Sequence, residues 1–347
     1  MAQNAILSIE DLHVWYRVYG GTLKVLDGAQ LQVGKGEKVG LVGESGCGKT
    51  TTMKAVLRIL AKQARVPQGK ILFNGRDMLK MKGRELHQLR GQNMSMIFQD
   101  PTAALNPVFT IGAQMRDAIK YSGLLKKGGL TAHEIAVQAL KDCAMPDPER
   151  IMKNYPFQLS GGMRQRVCIA MALATASNLL IADEPTTNLD VTIQDQVLNL
   201  IRTLVTEKGT SLILITHSLG VAREMTDRIY VMYAGRMVEV APTENIFEQP
   251  LHPYTQGLLS SIPKLTGEGM MEGIAGRLPS YLNPPQGCRF CTRCPRVMPE
   301  CATNRPPLFD MGNGHQVACW LYQDQAGGTN ATAGEKGEDR EGCELIG

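Results

Sequence analysis

A glycine-rich segment early in the chain has residue types and spacing that could bind phosphate. Residues 43–50 have the sequence GESGCGKT, which fits the pattern G-x-x-x-x-G-K-[ST], and they follow the short apolar run Lys38–Val42. Glycine permits backbone conformations that other residues avoid, so successive N–H groups can converge on phosphate oxygens. Lys49 could then reach the terminal phosphates, and the Thr50 hydroxyl could ligate Mg²⁺. The segment predicts a nucleotide-phosphate loop between a strand and a helix; the alternative is a glycine-rich turn that binds nothing.

Two adjacent acids form a second candidate group. Asp183 and Glu184 directly follow the apolar run Leu179–Ala182. If that run is a buried parallel strand, its carboxyl end lies at the sheet edge where α/β proteins bind their ligands. Asp183 would then help to hold Mg²⁺, and Glu184 would polarise the water that attacks the γ-phosphate. Two solvated charges at a strand end are the alternative.

A third group begins a helical run. Ser160, Gly161 and Gly162 stand at the start of a helical pattern that continues to Ala174. Serine is a preferred helix N-cap. Helix N-termini favour anions, and glycine lets a ligand approach the backbone. The pattern predicts a second anion-binding helix terminus, separate from the first, or else a simple capped turn.

The elements that would position these groups follow from periodicity. Residues 1–33 alternate between apolar and polar, which predicts a half-exposed antiparallel sheet. A helical pattern covers Lys49–Leu60, a buried strand is predicted at Met94–Phe98, and residues 110–155 are rich in helix. Leu212–Thr216 is another short apolar run typical of a parallel strand. Strands alternating with helices, with a helical insertion between them, predict an α/β architecture.

Length and composition limit the class of protein. The 347 residues are enough for two domains, or for one large domain with an appendage. With 43% hydrophobic and 20% charged residues, the chain is neither wholly disordered nor fibrous. Its 37 Lys and Arg residues against 33 Asp and Glu residues give a net charge of +4, which is too small to indicate nucleic-acid binding. We expect a cytosolic chain, since we find neither a membrane-spanning run nor a signal peptide.

Cysteines concentrate near the C-terminal end. Of the nine in the chain, five lie within positions 288–319: Cys288, Cys291, Cys294, Cys301 and Cys319. In a reducing compartment such density favours metal over disulfides, either an iron–sulfur cluster or a four-cysteine zinc site. Free buried thiols are the remaining alternative. Periodicity is lost from about residue 262, and the polar, glycine-rich residues 326–347 are expected to be disordered.

Taken together, these motifs resemble those of the ATP-binding cassette (ABC) family of ATPases over about residues 5–260. Gln99, the Asn188–Asp190 turn and His217 extend the match. The resemblance implies an α/β P-loop NTPase fold with a RecA-like parallel sheet core, an N-terminal antiparallel sheet and a helical subdomain. The nucleotide-binding domain would span 1–260, with its helical subdomain at about 105–165. A cysteine-rich region at 261–325 and a tail at 326–347 would follow.

The resemblance also implies roles for individual residues. Lys49, Glu184 and His217 would be catalytic, and Mg²⁺ would be held by Thr50, Gln99 and Asp183. Residues at the matching positions that would bind the nucleotide are Gly43, Ser45, Gly46, Cys47, Gly48, Lys49, Thr50, Thr51, Gln99 and Asp183. Adenine would stack on Tyr16, with Trp15 as the competing candidate.

Head-to-tail pairing of two cassettes is a property of this family. Each ATP is enclosed between the phosphate loop of one cassette and the LSGG segment of the other. Ser160, Gly161 and Gly162 would therefore complete the nucleotide site of the partner. The implied cycle is closure of the pair on ATP followed by reopening after hydrolysis.

Three further segments resemble the peptide/nickel importer branch of the family: Gln99–Pro101, Leu105–Pro107 and Leu251–Thr255. The implied partners are a second, non-identical ATPase subunit, two transmembrane permease subunits and an extracytoplasmic substrate-binding protein, with no nucleic acid. The chain would lie peripherally on the cytoplasmic face of the inner membrane. His252 serves as a family marker without a catalytic role. The rival hypothesis is a soluble or regulatory ABC ATPase that drives no transport.

Importers of this branch have a similar cysteine-rich tail. The resemblance implies a [4Fe-4S] cluster held by Cys288, Cys294, Cys301 and Cys319, with Cys291 as a substitute for one of them. Zinc remains the alternative occupant. The sequence specifies neither the transported solute nor whether the two cassettes are identical.

Overall fold

The computed structural model describes residues 5–123, 125, 129–175, 178–187, 189–261 and 273–325. The strands are β1 (Ala5–Val18), β2 (Gly21–Gly34), β3 (Lys38–Val42), β4 (Ala64–Arg65), β5 (Lys70–Phe73), β6 (Arg76–Asp77), β7 (Met94–Ile97), β8 (Leu179–Asp183), β9 (Ser211–Thr216), β10 (Arg228–Tyr233), β11 (Arg236–Pro242), β12 (Phe309–Asp310) and β13 (Gln316–Val317). The helices are α1 (Lys49–Val56), α2 (Gly83–Asn93), α3 (Pro101–Ala104), α4 (Ile111–Ser122), α5 (Ala132–Asp142), α6 (Pro148–Lys153), α7 (Gly161–Thr175), α8 (Val191–Glu207), α9 (Leu219–Met225), α10 (Thr243–Glu248), α11 (Pro253–Ser260) and α12 (Glu300–Thr303).

The larger sheet has the strand order β12-β13-β11-β10-β3-β9-β8-β7. Its middle, from β10 to β7, is parallel, and every residue of β8 and β9 is buried. Ile181 and Ile213 face one hydrophobic core, while Leu180 and Leu212 face another. Side chains of successive strand residues point to opposite faces, so an uninterrupted apolar run is what a strand covered on both faces requires. The predicted α/β architecture is confirmed.

The smaller sheet is antiparallel and has the order β2-β1-β5-β6, with β4 also paired to β1. The long hairpin of β1 and β2 packs its inner face, including Leu7 and Leu26, into the same core as Met53 of α1 and Leu41 of β3. The predicted N-terminal antiparallel sheet therefore covers one face of the parallel sheet and holds α1 between them.

Helices α4 to α7 form the predicted helical insertion between β7 and β8. Helix α4 begins at Thr110, whose hydroxyl accepts a bond from the backbone N–H of Ala113, and ends at Gly123 in a left-handed conformation. Helix α5 begins with a capping box formed by Thr131 and Glu134. The apolar faces of these helices share one core with the outer face of the parallel sheet.

Two element boundaries differ from the sequence expectation. Helix α1 ends at Val56, short of the predicted Leu60, because Arg58 adopts a left-handed conformation with φ of 51°. Its guanidinium donates to the carbonyls of Met78 and Met81, which fixes that turn. Strand β7 ends at Ile97, one residue earlier than predicted.

The cysteine-rich region is more regular than its sequence indicates. Strand β13 pairs with β11, and β12 pairs with β13, so residues near 310 and 316 extend the main sheet. Phe290 is buried in a core with Tyr233 and Tyr254. The expected domain boundary near residue 261 adjoins residues 262–272, which lie outside the described residues. The expected tail at 326–347, which contains Cys343, also lies outside them. None of the helices in the described ranges is both long and apolar enough to span a membrane.

Candidate active site

Residues 43–50 comprise the turn that follows β3 and the first two residues of α1, as the motif predicts. Gly43 has a φ of 154°, and a Cβ there would lie 2.2 Å from the carbonyl oxygen of Met232, so no larger residue fits. Gly48 precedes α1 in a left-handed conformation with φ of 113°. Ser45 and Gly46 are exposed on the turn, whereas Cys47 is buried. The turn presents the N-terminus of α1, where backbone N–H groups are free to bind an anion.

Lys49 is the first residue of α1 and is only 5% exposed. Its ammonium donates to the carbonyl oxygens of Gly43 at 2.7 Å and Glu44 at 3.0 Å. These bonds hold the Lys49 ammonium against the backbone of the loop. A phosphate oxygen could replace either carbonyl oxygen as its hydrogen-bond acceptor. Thr51 is half-buried in the first turn of α1, next to Thr50.

Thr50 and Asp183 meet at the carboxyl end of β8. The Thr50 hydroxyl donates to Oδ1 of Asp183 at 3.2 Å. Burial raises the pKa of the Asp183 carboxyl above its ordinary value, against the effect of the Thr50 hydrogen bond. A hydroxyl and a carboxylate side by side are oxygen ligands of the type that Mg²⁺ prefers, so this pair fits the predicted ion.

Glu184 follows β8 with a left-handed backbone, φ of 45°, and its N–H donates to the carbonyl of Ile215 on the neighbouring strand. One carboxylate oxygen, Oε2, accepts bonds from the Gln99 amide at 2.8 Å and the Thr187 hydroxyl at 3.0 Å. The other, Oε1, lies 3.2 Å from Nδ1 of His217. Three residues predicted separately from the sequence are thus brought together around one carboxylate.

A cavity of about 360 Å³ joins these parts. Its lining combines the phosphate loop with the ends of the parallel strands: Val42, Gly43, Glu44, Ser45, Glu184, His217, Leu219 and Leu258. The predicted loop, carboxylate and histidine therefore share one open site at the edge of the sheet.

Ser160, Gly161 and Gly162 are placed at the start of α7, as predicted. The Ser160 hydroxyl accepts a bond from the N–H of Met163 at 3.3 Å, which is an N-cap contact. Among the described residues, nothing lies within 4 Å of the position that a Cβ on Gly161 would occupy. No hydrogen bond within the described part of the chain joins this corner to residues 43–50. Asn188, of the predicted turn, lies outside the described residues.

Tyr16 and Trp15 are neighbours in β1 and so point to opposite faces of the antiparallel sheet. Tyr16 packs against the core that contains Met53 of α1. Trp15 lines a separate cavity on the other face, and the Lys24 ammonium lies 5.6 Å from its ring centre. Tyr16 therefore lies on the face of the sheet that packs against the core containing α1.

The five clustered cysteines are close in space. Electrostatic interaction links their thiols, with Cys301 interacting with each of the others: Cys288, Cys291, Cys294 and Cys319. Burial raises the pKa of Cys288 to about 12 and that of Cys319 to about 11. In the described ranges, no group of three or more His, Cys, Asp or Glu side chains is arranged to hold a metal ion. The structure gathers the thiols but gives no support to the predicted [4Fe-4S] or zinc site.

His252 is a packed histidine that does not line the cavity beside the phosphate loop. It is 1% exposed, and its Nδ1 accepts a bond from the N–H of Tyr254 at the start of α11. Burial lowers the pKa of His252 to about 4.

The contacts that reach the phosphate loop from the C-terminal part of the chain were not predicted from the sequence. The Tyr254 hydroxyl accepts from the N–H of Glu44 at 2.9 Å, and the Tyr281 hydroxyl donates to the Gly46 carbonyl at 2.7 Å. Arg293 donates to both carboxylate oxygens of Glu44. No local pattern indicates these residues, although Tyr254 lies in a segment used as a family marker and Arg293 lies within the cysteine run.

The fold and this site define a P-loop nucleotide hydrolase. Residues 26–187 match the ABC transporter family, and residues 238–301 match the oligopeptide/dipeptide transporter C-terminal region. The chain belongs to the ATP-binding proteins of ABC transporters, in the oligopeptide/dipeptide branch. It is therefore an ATPase, for which ATP and Mg²⁺ are the expected ligands.

Relatives cover nearly the whole chain. The dipeptide transport ATP-binding protein DppD of Bacillus subtilis is 44% identical over 324 residues, which are 92% of this chain and 96% of that protein. The oligopeptide transport ATP-binding protein OppD of Bacillus subtilis is 41% identical over 325 residues, which are 92% of this chain and 90% of that protein. Among solved structures, the dimeric ATP-binding cassette MJ0796 bound to ADP and Pi superposes with a TM-score of 0.60. The aligned region is 24% identical in sequence and covers 68% of this chain and 98% of the MJ0796 chain, so this likeness shows a shared fold.

Proposed function

We propose that this chain is one of two ATPase subunits of an importer that takes up peptides or related small solutes. The observation that carries this proposal is the convergence of Gln99, Glu184 and His217 beside the phosphate-binding loop. Relatives named as dipeptide and oligopeptide transport proteins support the class of solute.

In the proposed reaction, the turn at 43–50 binds the phosphates of ATP. Lys49 exchanges its bonds to loop carbonyls for bonds to the terminal phosphates. Thr50 and Asp183 are the residues that would hold Mg²⁺, and the ion would neutralise charge on the phosphate oxygens. The buried position of Asp183 favours this role, since an uncompensated charge there is costly.

Glu184 accepts a proton from the attacking water in this proposal. The bonds from Gln99 and Thr187 fix one carboxylate oxygen, and His217 lies beside the other. A carboxylate held from two sides is positioned before the water arrives, which lowers the entropic cost of reaction. His217 is exposed at the mouth of the cavity, so it can turn to contact the γ-phosphate.

A second cassette is proposed to close the site. Gly161 starts α7 with open space around its Cα, so within the described part of the chain no packing contact requires glycine there. A helix N-terminus of this kind can bind an anion, and a partner that brings ATP to Ser160–Gly162 would use it. Closure around ATP and reopening after hydrolysis would then drive the permease.

Transmembrane permease subunits, fed by an extracytoplasmic binding protein, are proposed as the other partners, which would place this chain at the inner face of the membrane. Large apolar side chains are exposed around the helical subdomain, notably Val108, Phe109 and Phe157. Exposed apolar side chains of this size often mark a contact with another protein. The alternative is a regulatory ATPase without a permease.

Purification of the tagged full chain from its own cells distinguishes an importer subunit from a regulatory ATPase without a permease. We expect permease subunits and a second cassette to copurify from detergent-solubilised membranes. The double variant Phe109→Ser/Phe157→Ser should reduce the yield of permease, whereas Tyr19→Ser, an exposed tyrosine on the β1–β2 turn, should not. Recovery of the wild-type chain without any membrane subunit would favour the regulatory ATPase.

An iron–sulfur cluster on Cys288, Cys294, Cys301 and Cys319, with Cys291 as a substitute, is proposed for the cysteine-rich region. This proposal comes from the number and spacing of the cysteines in the sequence; in the described residues the thiols lie close together but are not arranged to hold a metal. Protein purified without oxygen should be brown, with broad absorbance near about 400 nm. A colourless protein with stoichiometric zinc would contradict this assignment.

A further inference from the structure

One acid lies inside the anion-binding loop. Glu44 is the second residue of the turn at 43–50 and lines the same cavity as Ser45 and Glu184. Its side chain is 28% exposed. A carboxylate at this position repels the phosphate groups of a nucleotide unless another charge offsets it.

Arg293 supplies that charge from the cysteine-rich region. Its Nη1 lies 3.1 Å and 3.0 Å from the two carboxylate oxygens of Glu44. The Arg293 side chain is only 5% exposed, so solvent screens this pair weakly. Burial alone would lower the pKa of Arg293, but its bonds to Glu44 and Tyr233 outweigh that effect and raise it.

The guanidinium is also fixed by neutral groups. Nε donates to the carbonyl of Ala275 at 2.8 Å, Nη2 to that of Ile274 at 2.8 Å, and Nη1 to the Tyr233 hydroxyl at 3.3 Å. All of its donor nitrogens are therefore bonded, which makes the arginine a rigid support.

Neighbouring contacts anchor the same segment on the cassette. The ring of Phe290 packs edge-on against Tyr233 at 5.0 Å. Arg289, 2% exposed at its side chain, donates to the carbonyls of Ala234 and Lys24. The segment that carries the cysteines is thus fixed beside the phosphate loop by both apolar and charged residues.

We propose that Arg293 is a positioning residue for the nucleotide site: it neutralises and holds Glu44, so that the loop can accept a polyphosphate. The proposal rests on the proposed binding of ATP at residues 43–50. It makes the cysteine-rich region part of the support of that site, so nucleotide affinity depends on a segment about 250 residues away in sequence.

The test measures binding of the fluorescent analogue mant-ATP, with Mg²⁺, to the full chain. Arg293→Met removes the charge and should weaken binding about tenfold. Arg277→Met is the matched control, because Arg277 is an exposed arginine of the same region with no hydrogen bond or ion pair among the described residues. It should bind like the wild type.

A double variant distinguishes charge neutralisation from simple anchoring. In Glu44→Gln/Arg293→Met the repelling carboxylate is gone, so affinity should return to within about threefold of the wild type. If Arg293 acted only as an anchor, the double variant would bind as weakly as Arg293→Met, and the proposal would be overturned. Binding by Arg293→Met equal to that of Arg277→Met would overturn it too.

Glu44→Gln alone gives a test that does not depend on the stability of the arginine variants. It leaves the Arg293 charge without a counter-charge beside the loop, so mant-ATP should bind more tightly, by about threefold. Unchanged or weaker binding would overturn the proposal. If the wild-type chain itself failed to bind mant-ATP, the proposed function would be contradicted instead.

Discussion

The side-chain amide of Gln99 donates to Oε2 of Glu184 at 2.8 Å, which links the residues just beyond β7 and β8. Since His217 follows the next strand, β9, three neighbouring parallel strands each contribute one group around the same carboxylate. The parallel sheet therefore places Gln99 and His217 against the Glu184 carboxylate, and the Thr187 hydroxyl adds a contact from the loop of Glu184 itself.

Glu184→Gln should stop hydrolysis without preventing nucleotide binding. Glutamine keeps the size of the side chain but cannot take a proton from water, so the rate of phosphate release should fall at least about 100-fold. Affinity for mant-ATP should stay within about threefold of the wild type. The control is Glu224→Gln, an exposed glutamate on α9. Undiminished phosphate release by Glu184→Gln would reject the assignment of Glu184 as the base.

Motif residues at strand ends could be predicted because their positions follow from short-range patterns. Asp183 and Glu184 end a run of buried aliphatic residues, and parallel strands place such ends at one edge. The contact between Arg293 and Glu44 spans 249 positions and has no local pattern. Strands β12 and β13 have two residues each, too few to show an alternation. Helix α1 ended early because of one left-handed residue, Arg58, which helical periodicity does not reveal.

The variant Asp183→Asn should distinguish the role of Asp183 in magnesium binding from its effect on the stability of the fold. Burial raises the pKa of Asp183, so the folded state binds this proton more tightly than the unfolded state does. The wild type therefore loses stability as pH rises above the ordinary carboxyl value of 3.8, whereas asparagine does not. In Mg²⁺-free buffer, the variant should melt at a higher temperature than the wild type at neutral pH, and the difference should shrink in acid.

The same variant should lose Mg²⁺-dependent hydrolysis by about 100-fold, because asparagine is a weaker ligand than a carboxylate. Thr50 can still donate to the amide oxygen, so the local fold is kept. Asp195→Asn, at an exposed position of α8, is the control. Retention of full Mg²⁺-dependent activity would exclude Asp183 as a ligand.

Tyr16 and Trp15 offer a matched pair for the adenine contact. Tyr16→Ala should weaken mant-ATP binding about fivefold, as expected for the loss of one stacked aromatic ring. Trp15→Ala, on the opposite face of β1, should leave the affinity unchanged. The reverse order of effects would assign adenine to Trp15.

His252 should limit stability in acid. Its Nδ1 accepts the backbone bond that begins α11, so the ring must be neutral, and burial lowers its pKa from 6.5 to about 4. The unfolded state therefore takes up this proton first, and stability falls as pH decreases from 6.5 toward 4, by up to about 3 kcal/mol in total. In His252→Asn the side-chain oxygen can accept the same bond without titrating. Chemical denaturation of both proteins across this range should show a smaller loss for the variant; equal losses would contradict the assignment.

The most direct test is a structure of the purified complex, with Glu184→Gln in this chain and ATP and Mg²⁺ bound. We predict the triphosphate on the turn at 43–50, with Lys49 at its terminal phosphates and the serine–glycine–glycine corner of a second cassette opposite. Ser160–Gly162 of this chain should in turn cover the site of that partner. ATP bound to a single cassette, with this corner facing solvent, would contradict the account.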